Sequence, residues 1–224
     1  MKHIISFSGG KDSTAMLLGM IERGMPIDYV LCVDTTKEFP TMYKHIKQID
    51  TYIKPLNVTI LPIDYDYWFS EHIKTRGPNK GKRGYGWPDW RNRWCTALKR
   101  DLIKRFISSL QDEVIEYLGI AVDEPKRIKT YPNRNIVYPM VDWKMTEEGA
   151  LAYCYSRGFT WDGLYKKFHR VSCWCCPLKR IEELKTLYSE FPELWKSLTE
   201  MDKKSYRRFR SDYSINDLEN KFGG

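Results

Sequence analysis

The sequence lacks any apolar run that could cross a membrane. No segment approaches the roughly 18 consecutive apolar residues of a spanning helix, and the first residues, Met1 to Ser6, lack the long apolar core of a signal peptide. We therefore expect no membrane partner and a cytoplasmic location. The 224 residues are 42% apolar and 29% charged, a balance that excludes disorder by composition and predicts a folded protein.

Acidic residues are scarce relative to basic ones. The chain has 29 Asp and Glu residues against 37 Lys and Arg residues, which gives a net charge of +8. This surplus favours polyanions or phosphorylated molecules as partners and disfavours cations. Histidine is scarce as well, and the four histidines show no spacing typical of metal ligands.

Cysteine is sparse, and none follows Cys176. Three of the six cysteines crowd into four positions, Cys173, Cys175 and Cys176, which are too close together for a conventional disulfide framework. In a reducing compartment this crowding indicates metal or thiol chemistry. Cys32 lies in a predicted strand, and we expect it in the core.

Strands and helices alternate in the first half of the chain. Short apolar runs predict strands at 3–7, 27–33, 58–63 and 114–120, and helical spacing predicts helices at 13–23, 41–53 and 98–110. This repetition favours an α/β fold with a doubly wound, mostly parallel sheet. The remainder is α-rich, with predicted helices at 146–157, 181–189 and 193–200 and a solvated helix with a frayed end over 203–224. We expect one domain over 1–178 and a helical C-terminal extension over 179–224.

The segment Ser8-Gly9-Gly10-Lys11-Asp12-Ser13 connects the first predicted strand to the first predicted helix. Adjacent glycines allow the backbone to approach an anion, and a helix N-terminus presents N–H groups and a positive dipole end to it. The segment matches neither G-x-x-x-x-G-K-S/T nor G-x-G-x-x-G. It therefore predicts a phosphate site of another kind, and the alternative is a glycine turn with a Ser or Asp helix cap.

Three segments resemble one family. Residues 8–13 resemble the S-G-G-x-D-S signature of the PP-loop, or adenine nucleotide alpha hydrolase-like, superfamily. Residues 33–40 resemble the D-T-G-x-E-F-P stretch of its phosphoadenylylsulfate (PAPS) reductase-like branch, with Thr36 where Gly is common. Residues 119–127 resemble G-I/V-R-x-x-E-S-x-x-R, with Ala121 in the position of the usual Arg.

The resemblance implies an adenine nucleotide, ATP or PAPS, as the bound anion. It implies catalytic roles for Lys11, which would neutralise phosphate charge, and for Asp12, which would help to hold Mg²⁺. The nucleotide-binding residues that it implies are Ser8, Gly9, Gly10, Lys11, Asp12, Ser13, Asp34, Thr35, Gly119 and Arg127. Without the resemblance, Asp34 and Glu38 are capping or loop charges, and 119–127 is a surface turn.

The cysteine-rich loop 173–176 contains a C-x-x-C pair, which lets two thiolates converge on zinc or an iron-sulfur cluster with ligands from elsewhere. Cys95 is the candidate for a further ligand. Residues 93–99 and 139–177 resemble R-x-C-T-x-x-x-K and P-x-x-D-W…G-x-Y…G-C-x-x-C-P of the same branch, which implies a [4Fe-4S] cluster, with zinc as the alternative, on Cys95, Cys173, Cys175 and Cys176. Since adjacent cysteines cannot easily reach one ion, either one thiol stays free or Cys154 substitutes. Thiols packed in a Trp-rich core are the other interpretation.

A basic and aromatic loop covers residues 74–97. Nine Lys or Arg residues between 74 and 100 face one acid, Asp89, among Tyr85, Trp87, Trp90 and Trp94. The favoured interpretation is a lid over nucleotide phosphates. The alternative is a surface for phosphate backbones and stacked bases.

These expectations combine into one functional hypothesis. A transferase would cleave ATP at the α-phosphate with Mg²⁺ and activate a nucleic-acid or small-molecule acceptor for transfer of sulfur or a related group from a donor protein. The first alternative is a PAPS or APS reductase that releases sulfite with a thioredoxin-like reductant. Unless Cys175 or Cys176 serves as the nucleophile, it is disfavoured, because the family's reductases use a C-terminal cysteine and none follows Cys176. The second alternative is a non-catalytic nucleic-acid-binding module.

Overall fold

The computed structural model describes residues 1–128 and 135–223. Within them, five parallel strands form one sheet in the order β3-β2-β1-β4-β5. The strands are β1 (Lys2–Ser6), β2 (Tyr29–Asp34), β3 (Val58–Pro62), β4 (Val114–Leu118) and β5 (Asn135–Val137). The predicted α/β fold class with a mostly parallel, doubly wound sheet is confirmed.

Strand β1 lies at the centre of the sheet. Ile5 pairs in register with Val30 of β2 on one side and Tyr117 of β4 on the other, and Ile4 and Ile5 are fully buried. The chain adds β2 and β3 on one side and then β4 and β5 on the other. The order therefore reverses between β1 and β4, and in open α/β sheets ligands bind beyond the carboxyl ends of the strands at such a reversal.

Most helices follow the apolar spacing that predicts them, but the short helices at 139–142 and 164–167 were not predicted. They are α1 (Lys11–Glu22), α2 (Pro40–Tyr52), α3 (Trp94–Ser109), α4 (Pro139–Asp142), α5 (Glu147–Ser156), α6 (Leu164–Lys167), α7 (Ile181–Glu190), α8 (Pro192–Lys203) and α9 (Ile215–Gly223). Thr146 caps α5, since its hydroxyl accepts a hydrogen bond from the Gly149 N–H at 3.0 Å. In the described part of the chain, no helix has the length and apolar character that a membrane crossing requires.

The chain forms two compact units. The first comprises residues 1–34, 40–62 and 100–164 and contains the sheet. Its core includes Ile4, Ile5, Ala15, Leu17, Val30, Leu31, Ile49 and Met140. The second comprises residues 35–39, 63–99 and 165–224. Its core includes Phe39, Phe69, Trp87, Phe168, Leu187 and Phe209. The predicted boundary at residue 178 stays a prediction.

The sequence interpretation was wrong for residues 203–224. They do not form one solvated helix, because α8 ends at Lys203 and α9 begins only at Ile215. Phe209 between them is 2% exposed and its ring meets Trp87 edge to face, with centroids 5.0 Å apart. Apolar residues at wide intervals in this charged segment therefore anchor it to the core of the second unit. The three-residue strand β5 was also missed.

Candidate functional sites

The loop 8–13 closes on itself between β1 and α1. Gly9 has φ +76°, and Gly10 is extended at the helix N-cap. The Ser8 N–H donates to Ser13 Oγ at 3.1 Å, and the Ser13 hydroxyl donates to the Gly10 carbonyl at 3.1 Å. These bonds hold the loop in front of α1, whose first-turn N–H groups have no partners within the helix. The arrangement suits an anion.

Gly119 brings β4 against the first turn of α1. A Cβ atom here would lie 2.8 Å from Ser13 Cα and 2.9 Å from the Asp12 carbonyl oxygen, and both are backbone atoms. Only glycine allows this approach. The structure thus gives Gly119 a packing role, and its predicted contact with nucleotide stays a prediction.

Two residues that sequence analysis missed support the loop. The indole N–H of Trp161 donates to the Gly9 carbonyl at 2.9 Å. The Trp161 ring stacks at a tilt on His45, with centroids 4.3 Å apart, and His45 Nε2 lies 3.0 Å from the Thr14 hydroxyl. No local signal marks them, because Trp161 reaches the loop across 152 residues of sequence.

His45 is neutral in this environment. It is 1% exposed, and burial lowers its pKa to about 4. Among the described residues, its Nδ1 atom has no hydrogen-bond partner. The imidazole therefore acts as a packed, uncharged link between α1 and Trp161.

A cluster of carboxylates surrounds the Lys11 ammonium. Lys11 Nζ lies 2.8 Å from Asp12 Oδ1 and 2.9 Å from Glu147 Oε1. Oxygen atoms of Asp12, Glu124 and Glu147 lie within 4.8 Å of one another. Burial raises the pKa of Asp12, and the hydrogen bond from Lys11 opposes that shift. Hard oxygen donors in this number suit Mg²⁺.

Sequence analysis did not propose Glu147 as a ligand. The sequence signal that bears on Glu147 is the Thr146 cap, because it indicates that Glu147 lies in the first turn of α5. Arg127, predicted to bind nucleotide, pairs with the Glu124 carboxylate.

The last residue of β2 and the residue after it, Asp34 and Thr35, are two of the predicted nucleotide-binding residues. Asp34 Oδ1 accepts a hydrogen bond from the Tyr43 hydroxyl at 2.9 Å. Thr35 is fully buried, and its hydroxyl lies 3.6 Å from Cys173 Sγ. Thr36 has φ +60°, a left-handed conformation that β-branched residues rarely adopt. This backbone gives a physical reason for the Gly that is common at this position in the resembled motif.

The cysteine turn is tied to the segment 35–39 of the same unit. The Trp174 N–H donates to the Lys37 carbonyl at 2.9 Å. The Cys173 thiol donates to Glu38 Oε1 at 3.3 Å, and Lys99 Nζ donates to the same oxygen at 3.3 Å. Glu38 is thus a shared acceptor beside a predicted metal ligand.

All four predicted ligand thiols lie around Tyr65. Burial raises the pKa of this phenol, and negative charge on the thiolate forms of Cys175, Cys95, Cys173 and Cys176 raises it further, so all four predicted ligands interact with one side chain. Burial raises the pKa of Cys173 to about 12 and raises those of Cys95 and Cys175. Metal binding would therefore displace protons from these thiols.

The spacing of the thiols bears on the kind of metal. In the described residues, no three of the sulfur atoms lie within 4.8 Å of one another. A tetrahedral zinc ion with Zn–S bonds of about 2.3 Å requires sulfurs about 3.8 Å apart. In a [4Fe-4S] cluster each cysteine binds a different iron, which spreads the ligands. A single zinc ion on three of these thiols would therefore require the sulfur atoms to move closer together.

The other two cysteines are packed elsewhere. Cys154 belongs to the first unit, where its thiol donates to the Lys11 carbonyl at 3.5 Å, and burial raises its pKa to about 12. Cys32 in β2 is 2% exposed, which confirms its predicted place in the core.

The basic and aromatic loop contributes its rings to the core of the second unit. Trp87 is 1% exposed and donates its indole N–H to Asp202 Oδ1 at 2.6 Å. Trp94 is 5% exposed and donates to the Gly86 carbonyl at 3.0 Å. These two rings are therefore closed to stacking with bases. Trp90 is different, because it is 78% exposed.

Residues 2–179 match the model of the phosphoadenosine phosphosulfate reductase domain, and the chain belongs to that family. This match confirms the family that the motifs of the phosphate loop and the cysteine loop indicate.

Curated relatives extend over most of the chain. An uncharacterized protein of Methanocaldococcus jannaschii, MJ0066, is 28% identical over 207 residues, which are 86% of this chain and 39% of the relative. An uncharacterized nin region protein of Escherichia phage lambda, ORF290, is 26% identical over 206 residues, which are 82% of this chain and 68% of the relative. The chain thus spans about two fifths of the length of the first of these relatives.

Solved structures share the general fold. The FMN adenylyltransferase of Candida glabrata in complex with FAD and inorganic pyrophosphate aligns over 77% of this chain and 55% of its own, with TM-score 0.47 and 13% identity. The U34-tRNA thiolase NcsA of Methanococcus maripaludis with its [4Fe-4S] cluster aligns over 91% and 71%, with TM-score 0.44 and 13% identity. Likeness at this level carries no information about function.

Proposed function

We propose that the chain binds an adenine nucleotide at the loop 8–13 and cleaves ATP at the α-phosphate to activate an acceptor for transfer of sulfur or a related group. The observation that carries the proposal is the loop itself. It combines left-handed Gly9, the open first turn of α1 and the close approach at Gly119 at the reversal point of a parallel sheet. The family match supports a nucleotide as the anion.

The proposed reaction has two displacements. An acceptor oxygen attacks the α-phosphorus, the bond from this phosphorus to the bridging oxygen breaks, and pyrophosphate leaves with the electron pair. A sulfur nucleophile from a donor protein then attacks the acceptor carbon that bears the adenylylated oxygen, and AMP leaves with this oxygen and the electron pair of the broken C–O bond. Backbone N–H groups at the start of α1 would stabilise charge on the α-phosphate.

Asp12, Glu124 and Glu147 are the residues that would hold Mg²⁺. Bound Mg²⁺ would offset negative charge on the leaving pyrophosphate. Lys11 occupies the centre of this cluster, with its Nζ 2.8 Å from Asp12 and 2.9 Å from Glu147. In the proposed complex, Lys11 turns from these carboxylates to the phosphates.

The cysteine set would hold a [4Fe-4S] cluster, with zinc as the alternative. Its four thiols interact electrostatically with Tyr65, and in the described residues no three of their sulfur atoms lie within 4.8 Å of one another. A bound cluster would activate sulfur or organise the second unit. A cytoplasmic location, where thiols stay reduced, goes with this proposal.

A PAPS reductase is the second candidate, and the family match favours it. It requires a nucleophilic thiolate. Burial raises the pKa values of Cys173 and Cys175, which opposes that role.

Incubation with ATP or PAPS and Mg²⁺, followed by assays of AMP, pyrophosphate and sulfite, tests the chemistry. We expect AMP and pyrophosphate from ATP, lost in Glu147→Gln and kept in Glu148→Gln. Glu148 is the matched control because it is the next residue of α5 and is exposed. Sulfite from PAPS would replace the proposal with the reductase, and no binding of either nucleotide at millimolar concentration would refute it.

Anaerobic purification with iron and zinc analysis tests the cysteine site. We expect about four irons per chain and a broad absorbance near 400 nm, lost in Cys173→Ser and kept in Cys154→Ser. Stoichiometric zinc without iron would exclude the cluster. Loss of iron in Cys154→Ser would give this thiol the ligand role that the structure does not indicate.

A further inference from the structure

A cavity of about 490 Å³ opens in the second unit. Three segments line it: 87–90 of the basic and aromatic loop, 177–180 after the cysteine turn, and 207–212 between α8 and α9. A volume of this size accommodates one nucleotide-sized group. Neither the phosphate loop nor the four thiols account for it.

Trp90 stands on the rim of this cavity on a rigid turn. Asp89 Oδ1 accepts hydrogen bonds from the Arg91 N–H at 2.8 Å and the Asn92 N–H at 2.6 Å, and the Asp89 carboxylate also pairs with Arg207. The turn therefore presents a 78% exposed indole at a defined place. A large exposed aromatic ring on a fixed backbone is typical of a binding surface.

The cavity carries a surplus of positive charge. Its lining has five cations against the two acids Asp89 and Asp212, and the cations are Lys179, Arg180, Arg207, Arg208 and Arg210. Three of the five already serve the fold: Lys179 binds the Ser172 carbonyl and hydroxyl, Arg207 pairs with Asp89, and Arg210 donates to backbone carbonyls.

The other two guanidinium groups of the lining are exposed. Arg180 is an exposed residue directly before α7. Arg208 pairs with Asp217 at 2.7 Å, but both side chains are about half exposed, so water screens this pair. Arg180 and Arg208 thus offer forked donors beside an aromatic face.

We propose that this cavity binds one nucleotide unit of a single-stranded nucleic acid, with its base stacked on Trp90 and its phosphates at Arg180 and Arg208. Cations beside an exposed aromatic ring are the two elements of single-strand binding. An unpaired base is required because a paired one cannot reach the indole face. The inference also names nucleic acid as the class of acceptor in the proposed reaction, and in this respect it rests on the proposed function.

Fluorescence anisotropy measures the binding directly, without ATP. The probes are labelled single-stranded RNA and DNA of about 12 nucleotides and a duplex of the same length. We expect the single strands to bind more tightly than the duplex. Trp90→Ala should weaken binding about 5- to 150-fold, the range that stacking of one base supports, and Trp90→Phe should restore most of it. Tyr52→Ala is the matched control, because Tyr52 is a 58% exposed aromatic residue of the first unit.

Salt dependence tests the two arginines. Between about 50 and 200 mM salt, Arg180→Gln and Arg208→Gln should each lower the slope of log K against log salt by about one. Lys47→Gln, a change of an exposed cation on α2, should leave the slope unchanged. Full competition by AMP at micromolar concentration would show a site for a free nucleotide and would overturn the proposal.

Failure of this inference is distinct from failure of the proposed function. Equal binding by Trp90→Ala and the unmodified chain, or no single-strand binding at low salt, overturns the inference whatever ATP does. Trp90-dependent binding that persists in Glu147→Gln supports it, even if no AMP is ever formed.

Discussion

Substitution of Gly119 by Ala tests whether the seat for phosphate depends on contact between two backbones. The new Cβ would lie 2.8 Å from Ser13 Cα and 2.9 Å from the Ser13 nitrogen and the Asp12 carbonyl oxygen. Nonbonded carbon atoms in contact lie about 3.5 Å apart, so β4 and the start of α1 must separate by roughly 0.7 Å. No flexible side chain is present to absorb this movement.

Two measurable losses follow from Gly119→Ala. Overpacking of this kind costs about 1–3 kcal/mol of unfolding free energy, which urea denaturation measures. The same shift moves the N–H groups of the first turn away from a bound phosphate. A hydrogen bond to a charged group contributes about 1.5–3 kcal/mol, so loss of one weakens ATP binding about 10- to 100-fold in calorimetry.

Gly19→Ala is the matched control for stability. Gly19 lies on the same helix, and its Cβ would meet Trp143 Cζ3 at 2.7 Å, so this variant is also overpacked. We expect it to lose similar stability and to keep its affinity for ATP. Equal affinity loss in the two variants would show that Gly119 acts through global stability, and unchanged ATP binding by Gly119→Ala would refute the reasoning.

Three further predictions concern the supports of the two sites. The pKa of His45 falls from 6.5 to about 4 on folding, so the unfolded chain binds the extra proton between these pH values. The free energy of unfolding therefore declines from pH 6.5 towards pH 4 by up to about 3 kcal/mol. In urea denaturation at a series of pH values, His45→Gln should reduce this decline, and parallel curves for the two proteins would contradict the prediction. Trp161→Phe leaves the Gly9 carbonyl without its donor and should cost about 1–3 kcal/mol in thermal or urea unfolding, together with weaker ATP binding. Arg210→Gln removes charged hydrogen bonds to two carbonyls that follow the cysteine turn, Pro177 O among them, and should lower the iron or zinc content without changing a cysteine; full metal content would exclude this role.

Local sequence was sufficient for the position of the loop 8–13 and for four of the five strands in the described residues. Adjacent glycines between an apolar strand and a helix predict the loop 8–13, because backbone conformation and helix polarity there depend on neighbouring residues only. The parallel sheet follows from repeated strand–helix alternation. The helix predicted over 146–157 depends on local sequence in the same way, and the hydrogen bond from the Gly149 N–H to the Thr146 hydroxyl caps its start.

Contacts between distant residues were beyond such patterns. Glu147 meets Lys11 across 136 residues, and Trp161 meets Gly9 across 152, so no spacing in the sequence marks either pair. Phe209 was assigned to a solvated segment because charges surround it, yet it packs on Trp87. The interpretation of the basic loop as a lid over phosphates stays a prediction. Composition cannot tell its buried tryptophans, Trp87 and Trp94, from the exposed Trp90.

The second unit gathers three stretches of chain, 35–39, 63–99 and 165–224, that are separated by 23 and 65 residues of the first unit. Contacts between residues so far apart in sequence form slowly, because closing a large loop costs conformational entropy before the contact adds stability. During synthesis, Cys95 can meet the cysteine turn only after Cys176 has been made. The hydrogen bond from Arg210 to the Pro177 carbonyl forms later still. The four thiols therefore come together only after synthesis has passed Cys176, late relative to the strands β1 to β4.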